Sequence, residues 1–208
     1  MIKAVIFDVD GVLVDSFEAN HKFFADLMAK FGYAFMQKEE FASFFHVPMK
    51  DIIKHSTKSI NETEIEKIWK SGKDRDVPYP DELLNTPANL NKVIKSLSKN
   101  YILGIVTSRA RSGIYSLPQL KILKNYFSED VAYEDTKNHK PHPDPLLLIS
   151  KKLKIPPQEC VYVGDSESDM IAARAAGMKC IMYSKKINTN VDANVSSFSE
   201  LPQVLQSI

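Results

Sequence analysis

Short runs of apolar and β-branched residues recur along the chain, and each ends in polar or turn-forming residues. These runs are IKAVIF at 2–7, YILGIVTS at 101–108, DVAYE at 130–134, CVYVG at 160–164 and KCIMY at 179–183. Apolar runs of this length are typical of strands in a buried sheet. The pattern therefore predicts five core strands.

Helical patterns lie between the later strands. Apolar residues three to four positions apart occur in LNKVIKSLSK, LPQLKILKNYF, DPLLLISKKL and SDMIAARAAG. Strands that alternate with helices favour a parallel sheet that is covered on both faces. We therefore predict an α/β fold whose core is a doubly wound, Rossmann-like parallel sheet.

Residues 17–80 interrupt this alternation. The segments HKFFADLMAKFGY, EEFASFF, MKDIIKHS and ETEIEKIWKSG read as consecutive helices with no strand between them. Pro78, Pro80 and Pro87 mark the return to the core, because proline discourages a continuing helix. We predict a core domain formed by 1–16 and 81–208, and an α-helical domain at 17–80 inserted after the first strand.

The overall charge limits the classes of partner. The chain has 27 Lys and Arg against 26 Asp and Glu, a formal net charge of +1. Such a balance predicts no general attraction to nucleic acids or membrane surfaces. The longest apolar runs are of strand length and the N-terminal residues carry no export signal, so we expect a cytoplasmic protein. The sequence leaves the oligomeric state open.

Polar residues whose side chains could take part in catalysis or metal binding follow four of the predicted strands. They are Asp8 and Asp10, Thr107 and Ser108, Lys140, and Asp165 and Asp169. Ligands of open parallel sheets bind beyond the carboxyl ends of the strands, so we expect these residues to share one cleft. Four carboxylates in one cleft repel each other unless a cation lies among them, and oxygen ligands favour Mg²⁺.

These motifs resemble those of the haloacid dehalogenase-like hydrolase superfamily. DVDGVLVDS, VTS, KPHPDP and GDSESD stand in the order found in that superfamily, and the match covers essentially the whole chain. The inserted helices resemble the small α-helical cap of phosphoglycolate-phosphatase-like and β-phosphoglucomutase-like members. The resemblance implies that Mg²⁺ is held by Asp8, the Asp10 backbone carbonyl and Asp165, with Asp169 ordering the metal waters or Lys140.

The same resemblance implies a phosphatase mechanism. Asp8 attacks phosphorus and carries the phosphoryl group as an aspartyl-phosphate, while Asp10 serves first as general acid and then as general base. Thr107, Ser108 and Lys140 bind the phosphoryl group and offset its charge. We predict a Mg²⁺-dependent phosphatase for a small phosphorylated metabolite, a monoester such as phosphoglycolate or a sugar phosphate.

Cap residues are expected to choose the substrate. His46, Lys50 and Lys54 fall where the caps of this superfamily reach the active site, so they are candidates to contact the leaving group; the alternative is that each lies on a solvated helix face. The sequence does not identify that group.

A phosphosugar mutase is the nearest competing function. Mutases of the β-phosphoglucomutase type carry a His at the sixth position of a D-[ST]-x-E-x-H pattern, where the segment DSFEAN places Asn20. They also show Glu-Asp where this chain has Gly164-Asp165. Both departures favour hydrolysis.

Three further classes of protein fit the motifs less well. Dehalogenases need neither Asp10 nor Asp165. Receiver-type phosphoacceptor proteins place the acidic pair first and the acceptor Asp on a middle strand, and they have no helical insertion after strand one. A non-catalytic binding protein would be free to lose some of the four motifs, and all four are present.

Overall fold

A computed structural model describes all of residues 1–208. Its sheet has six parallel strands in the order β3-β2-β1-β4-β5-β6, which confirms the predicted doubly wound α/β fold. The strands are β1 Ala4–Phe7, β2 Ile102–Val106, β3 Phe127–Val131, β4 Cys160–Gly164, β5 Lys179–Tyr183 and β6 Ala193–Val195.

The helices are α1 Phe17–Lys30, α2 Lys38–Phe41, α3 Met49–Thr57, α4 Glu62–Lys73, α5 Leu90–Leu97, α6 Pro118–Leu123, α7 Asp144–Leu153, α8 Glu167–Ala175 and α9 Leu201–Ser207. The first four follow one another with no strand between them, as the sequence predicts. No helix combines the length and the apolar character that a membrane crossing requires.

Two strands differ from the sequence-based prediction. β3 begins at Phe127 rather than at residue 130, and β6 carries no clear strand signal in the sequence. β3 lies at the edge of the sheet, where the polar residues Ser128 and Glu129 are not buried, so its sequence lacks a continuous apolar run. β6 is three residues long at the opposite edge, too short to show a period.

β1 lies at the centre of the sheet, and this position explains the apolar run near the start of the chain. Val5 and Phe7 pack into the apolar cluster on one face, and Ala4 and Ile6 into the cluster on the other. In register, Phe7 pairs with Ile105 of β2 and with Val163 of β4. The residues that follow these three strands therefore lie side by side.

The α1–α4 segment has its own apolar cluster. Its buried members all come from residues 23–77 and include Phe23, Phe24 and Phe41. The segment joins the core where Asp15 and Asn85 form a two-way backbone bridge, with N···O distances of 2.8 and 3.1 Å. This separate cluster supports the proposed division into a core domain and a helical domain.

Candidate active site

The loops at the carboxyl ends of β1, β2 and β4 form one cleft. Asp8 follows β1, Thr107 follows β2 and Asp165 follows β4. Lys140 enters from the loop before α7, and Asp169 from the first turn of α8. The structure thus brings the four sequence motifs together at the edge where ligands of such sheets bind.

Lys140 is a buried cation between two carboxylates. Its Nζ lies 3.0 Å from Asp8 Oδ2 and 2.6 Å from Asp169 Oδ1, and its side chain is 5% exposed. Burial alone would lower the pKa of Lys140, but Asp169 and Asp8 outweigh burial and raise it well above the usual value. Lys140 is therefore held as a permanent positive charge beside Asp8.

Tyr162 is a partner of Lys140 that the sequence pattern did not reveal. Its hydroxyl accepts a hydrogen bond from Lys140 Nζ at 3.0 Å, and it lies 3.2 Å from both Asp169 Oδ1 and the Val106 carbonyl oxygen. Tyr162 points from the middle of β4 into the core, so its position in the sequence is that of a core aromatic. The available signal was a polar tip on an apolar strand next to GDSESD.

Asp169 uses both of its oxygens within the protein. Ser166 donates to Oδ2 through its hydroxyl at 2.6 Å and through its backbone N–H at 3.2 Å, and Ser166 also caps α8. Burial would raise the pKa of Asp169, but Lys140 and these donors lower it. Asp169 is accordingly held as a carboxylate that orients Lys140.

Asp165 has a buried oxygen without a donor. Asp165 Oδ1 accepts no hydrogen bond. Gly11 makes room for this side chain: its φ is +76°, and a Cβ at residue 11 would lie 1.7 Å from Asp165 Oδ2. Glycine in DVDG therefore serves the turn and the close approach of Asp165 together.

Asp8, Asp165 and Asp169 form a group that we call the acid cluster. One ligand oxygen from each lies within 4.8 Å of the others, so three carboxylates face the single ammonium of Lys140. Burial, reinforced by the neighbouring acids, raises the pKa of Asp8 to about 7 and that of Asp165 to about 9. The protein supplies only one positive charge for these three acids, so in the absence of a further cation part of the group is neutralised by bound protons.

The acid cluster has the composition of a divalent cation site. It combines carboxylate oxygens, a deficit of positive charge and the bare Asp165 Oδ1. Hard oxygen donors of this kind suit Mg²⁺, which binds one or two carboxylates and completes its shell with water and phosphate oxygens. The residues present therefore fit the metal that the sequence implies.

Asp10 lies in a different environment, which we call the Asp10 clamp: Arg109, Asn20, Tyr79 and Ser16. Arg109 binds both carboxylate oxygens, from Nε to Oδ2 at 2.7 Å and from Nη2 to Oδ1 at 2.6 Å. Asn20 Nδ2 donates to Oδ1 at 3.2 Å, and the Ser16 hydroxyl donates to the same oxygen. Tyr79 accepts from Arg109 at 2.8 Å and donates to Asn20 at 2.6 Å.

The clamp holds Asp10 in its ionised form. Burial would raise the pKa of Asp10, but Arg109, Ser16 and Asn20 outweigh burial and lower it. Arg109 was not among the predicted site residues, although its signal was available: it directly follows Thr107 and Ser108 at the same sheet edge. The sequence pattern distinguishes Asn20 only as a replacement for histidine, whereas the structure gives it a direct contact with Asp10.

Thr107 and Ser108 lie at the mouth of β2. Thr107 is buried, its Oγ1 accepts from the Arg109 backbone N–H at 3.1 Å, and its hydroxyl proton remains to be donated. Ser108 lines the pocket beside Asp8 and Asp10. Their role as phosphate donors stays a prediction.

The three predicted selector residues are placed differently from one another. His46 lines the pocket, and its Nδ1 lies 3.6 Å from Asp165 Oδ1. Lys50 and Lys54 do not line it: they pair with Glu66 at 2.6 Å and Glu62 at 3.0 Å on the neighbouring helix α4. These ion pairs hold both lysines on the face of α3 that turns to α4.

The pocket between core and helices has a volume of about 90 Å³. Its core side includes Asp8, Asp10 and Arg109, and its other wall includes Phe45, His46, Met49, Lys73 and Arg75. A space this small, closed over by aromatic and aliphatic side chains, suits a compact ligand with few heavy atoms.

The order of the strands places this cleft beside β1, where the direction of winding reverses, as in doubly wound α/β proteins that bind ligands at this point. The chain belongs to the haloacid dehalogenase-like hydrolase family, whose model matches residues 5–183. This finding confirms the resemblance seen in the four motifs.

Individual relatives match nearly the whole chain. The PpaX protein of Caldanaerobacter subterraneus subsp. tengcongensis is 32% identical over 86% of this chain and 80% of its own length. The pyrophosphatase PpaX of Bacillus cereus is 28% identical over 86% and 81%. A subfamily IA hydrolase structure from Geobacter sulfurreducens has a TM-score of 0.72 at 28% identity, covering 98% and 96%. The chain is a phosphatase of this family.

Proposed function

We propose that this phosphatase hydrolyses a small phosphate monoester with the help of Mg²⁺ bound at the acid cluster. The observation that carries the proposal is the contrast between two aspartates: Asp8 lies among carboxylates that lack a countercharge, whereas Asp10 is neutralised by Arg109. A bound Mg²⁺ supplies the missing positive charge and offsets charge on the phosphoryl oxygens. Asp8 and Asp165 would hold it, with the Asp10 backbone carbonyl.

The first step forms a bond between a carboxylate oxygen of Asp8 and phosphorus while the bond from phosphorus to the leaving oxygen breaks. Lys140, 3.0 Å from Asp8, offsets charge on the transferring group, and Thr107 and Ser108 supply donors. Asp8 Oδ1 accepts the Val9 N–H at 2.7 Å, which fixes the carboxylate for attack. The product is an aspartyl-phosphate and a departing alkoxide that requires a proton.

Asp10 handles the protons of both steps. It gives one to the leaving oxygen, and as a carboxylate it then takes one from the water that attacks the aspartyl-phosphate, which restores Asp8 and releases phosphate. The clamp presents Asp10 as a carboxylate, the form that the second step uses, because its donors lower the pKa of Asp10. The first step uses the protonated acid: a clamp donor yields one Asp10 oxygen, which takes a proton from the monoanionic substrate phosphate and passes it to the leaving oxygen. The proton that Asp10 takes from water in the second step leaves with the released phosphate.

Asn20 favours hydrolysis over phosphosugar transfer. The mutase pattern has histidine at this position, and histidine can carry a proton near neutral pH. The amide of Asn20 hydrogen-bonds Asp10 at 3.2 Å but cannot exchange a proton with it. Water is therefore our proposed acceptor of the phosphoryl group.

The proposal is tested by phosphate release from a panel of small substrates, including phosphoglycolate, sugar phosphates, pyrophosphate and an aryl phosphate. Each is assayed with Mg²⁺ and with excess chelator. We expect turnover of at least one small phosphate that chelator abolishes and added Mg²⁺ restores. Full turnover in chelator would overturn the metal assignment.

A further inference from the structure

Arg75 is a pocket cation without a carboxylate partner. It follows α4 and lines the pocket together with Lys73. Neither side chain has a carboxylate oxygen within the 4.0 Å of an ion pair. Arg109 provides the contrast: both guanidinium groups lie 5.2 Å from the Tyr79 ring centroid, but only Arg109 is neutralised, by Asp10.

Local packing does not explain an arginine at this position. Its φ of 58° lies in the left-handed region, which asparagine and glycine adopt at lower cost. Stacking on Tyr79 uses none of the five N–H donors of the guanidinium. The N–H donors of the guanidinium are therefore free to bind a ligand in the pocket.

The surroundings of Arg75 favour an added negative charge. Burial lowers the pKa of Arg75; Asp81, which lies beyond ion-pair distance, raises it, and the Arg109 cation lowers it by a smaller amount. An anion bound here would supply the hydrogen-bonded countercharge that Asp81, outside ion-pair distance, does not provide. Because phosphate is expected at Asp8, this anion would be a second group on the same small molecule.

We propose that Arg75, assisted by Lys73, binds a second anionic group of the substrate, so that the enzyme selects small phosphates that carry a further carboxylate or phosphate. The inference rests on the proposed function, since it places the reacting phosphate at Asp8. It assigns substrate choice to Lys73, the last residue of α4, and Arg75, two residues beyond it, rather than to Lys50 and Lys54, which are paired with glutamates.

The test compares substrates that differ in the second group. Phosphoglycolate carries a carboxylate, pyrophosphate a second phosphate, and 2-hydroxyethyl phosphate a neutral hydroxyl. For the natural sequence, kcat/KM should be higher for at least one of the two doubly anionic substrates than for 2-hydroxyethyl phosphate. The better of those two identifies which anion the pocket accepts.

Arg75→Gln then removes the charge while keeping a polar chain. A hydrogen bond to a charged group is worth about 1.5–3 kcal/mol, so kcat/KM for the preferred doubly anionic substrate should fall about tenfold to a hundredfold, chiefly through KM. The loss for 2-hydroxyethyl phosphate should be several-fold smaller. Arg75→Lys should restore part of the difference, because it returns the charge.

Lys58→Gln is the matched control, since Lys58 is an exposed residue of the same helical segment with a φ of 54° outside the pocket. It should leave the ratio between the substrates unchanged. Equal losses on charged and neutral substrates in Arg75→Gln would overturn the role of Arg75. That result would leave the phosphatase proposal intact, because Asp8-dependent turnover is measured separately.

Discussion

Two aspartates one residue apart, Asp8 and Asp10, experience opposite electrostatic environments. Asp8 belongs to the acid cluster, where three carboxylates share one lysine and burial raises its pKa to about 7. Asp10 lies in a clamp with a two-pronged arginine bond, a hydroxyl and an amide, and its pKa is lowered. The fold has thus left one carboxylate short of positive charge and fully compensated the other.

The difference follows from which elements surround each side chain. Asp8 faces β4 and α8, which bring Asp165 and Asp169, whereas Asp10 faces the loop after β2 and helix α1, which bring Arg109 and Asn20. The shortage of positive charge around Asp8 suits a metal site and a nucleophile. A compensated carboxylate suits a residue that must hold a fixed position and exchange protons.

The largest expected effect comes from Asp8→Asn, which removes the nucleophile but preserves its shape. Loss of a nucleophile lowers turnover by ~10⁴-fold or more. The folded state should persist, because the change relieves repulsion within the acid cluster. Phosphate-release rates and a thermal melt in chelator test both parts, and turnover like that of the natural sequence would show that another group attacks phosphorus.

Asp10→Asn should lower the rate on alkyl phosphates by ~10² to 10⁴, the range for loss of general acid–base catalysis. Aryl phosphates, whose leaving groups depart without a proton, should lose less. Steady-state kinetics on a matched alkyl and aryl pair measures the difference. Equal losses on the two substrates would remove Asp10 from the proton-transfer role.

Arg109→Ala tests the contrast between Asp8 and Asp10 through the free energy of unfolding. Arg109 and Asp10 side chains are 11% and 17% exposed, and removing one partner of such a pair leaves a buried charge, at a cost of ~3–5 kcal/mol. Lys38→Ala is the control: the Lys38 and Glu18 side chains are 52% and 53% exposed, and surface pairs contribute only ~0–1 kcal/mol. Urea unfolding of both variants should separate them, and equal losses would mean that the clamp adds no stability.

Mg²⁺ should stabilise the folded protein through the acid cluster. A ligand that binds only the folded state at 100 times its Kd adds about 2.7 kcal/mol to the free energy of unfolding. Asp165→Asn should weaken that gain while stabilising the metal-free protein, because a buried carboxylate is neutralised. Melting temperatures with and without Mg²⁺ test this, and an unchanged gain in Asp165→Asn would place the metal elsewhere.

The last prediction concerns pH in the metal-free protein. The pKa values of Asp8 and Asp165 are raised from 3.8 to about 7 and about 9, so the folded state binds more protons than the unfolded state from pH 3.8 to about 9. The free energy of unfolding should therefore fall as pH rises through this window. Denaturant unfolding in chelator at several pH values measures the slope, and stability that rises with pH would contradict the acid cluster.

The apolar runs predicted the sheet because the central strands are buried on both faces. β4 and β5 coincide with the predicted segments, and the polar residues at the strand ends fall in one cleft. The edge strands were predicted less well, because a strand with one open side needs no continuous apolar run. The predicted start of β3 was three residues too late, and β6 was not predicted.

Local sequence alone determined that Asp8, Thr107 and Asp165 directly follow strands and that Lys140 lies in a loop beyond one. Each of these strands is an apolar run, and the polar residues that come next show where it ends. Tertiary structure decided what those residues meet. Arg109 reaches Asp10 across 99 positions, and Tyr79 joins them from the chain that leaves α4. In the folded chain, Lys50 and Lys54 form ion pairs with glutamates of α4, whereas Arg75 lines the pocket. Charge compensation depends on distances of a few ångströms between segments remote in sequence, and only the packed chain sets those distances.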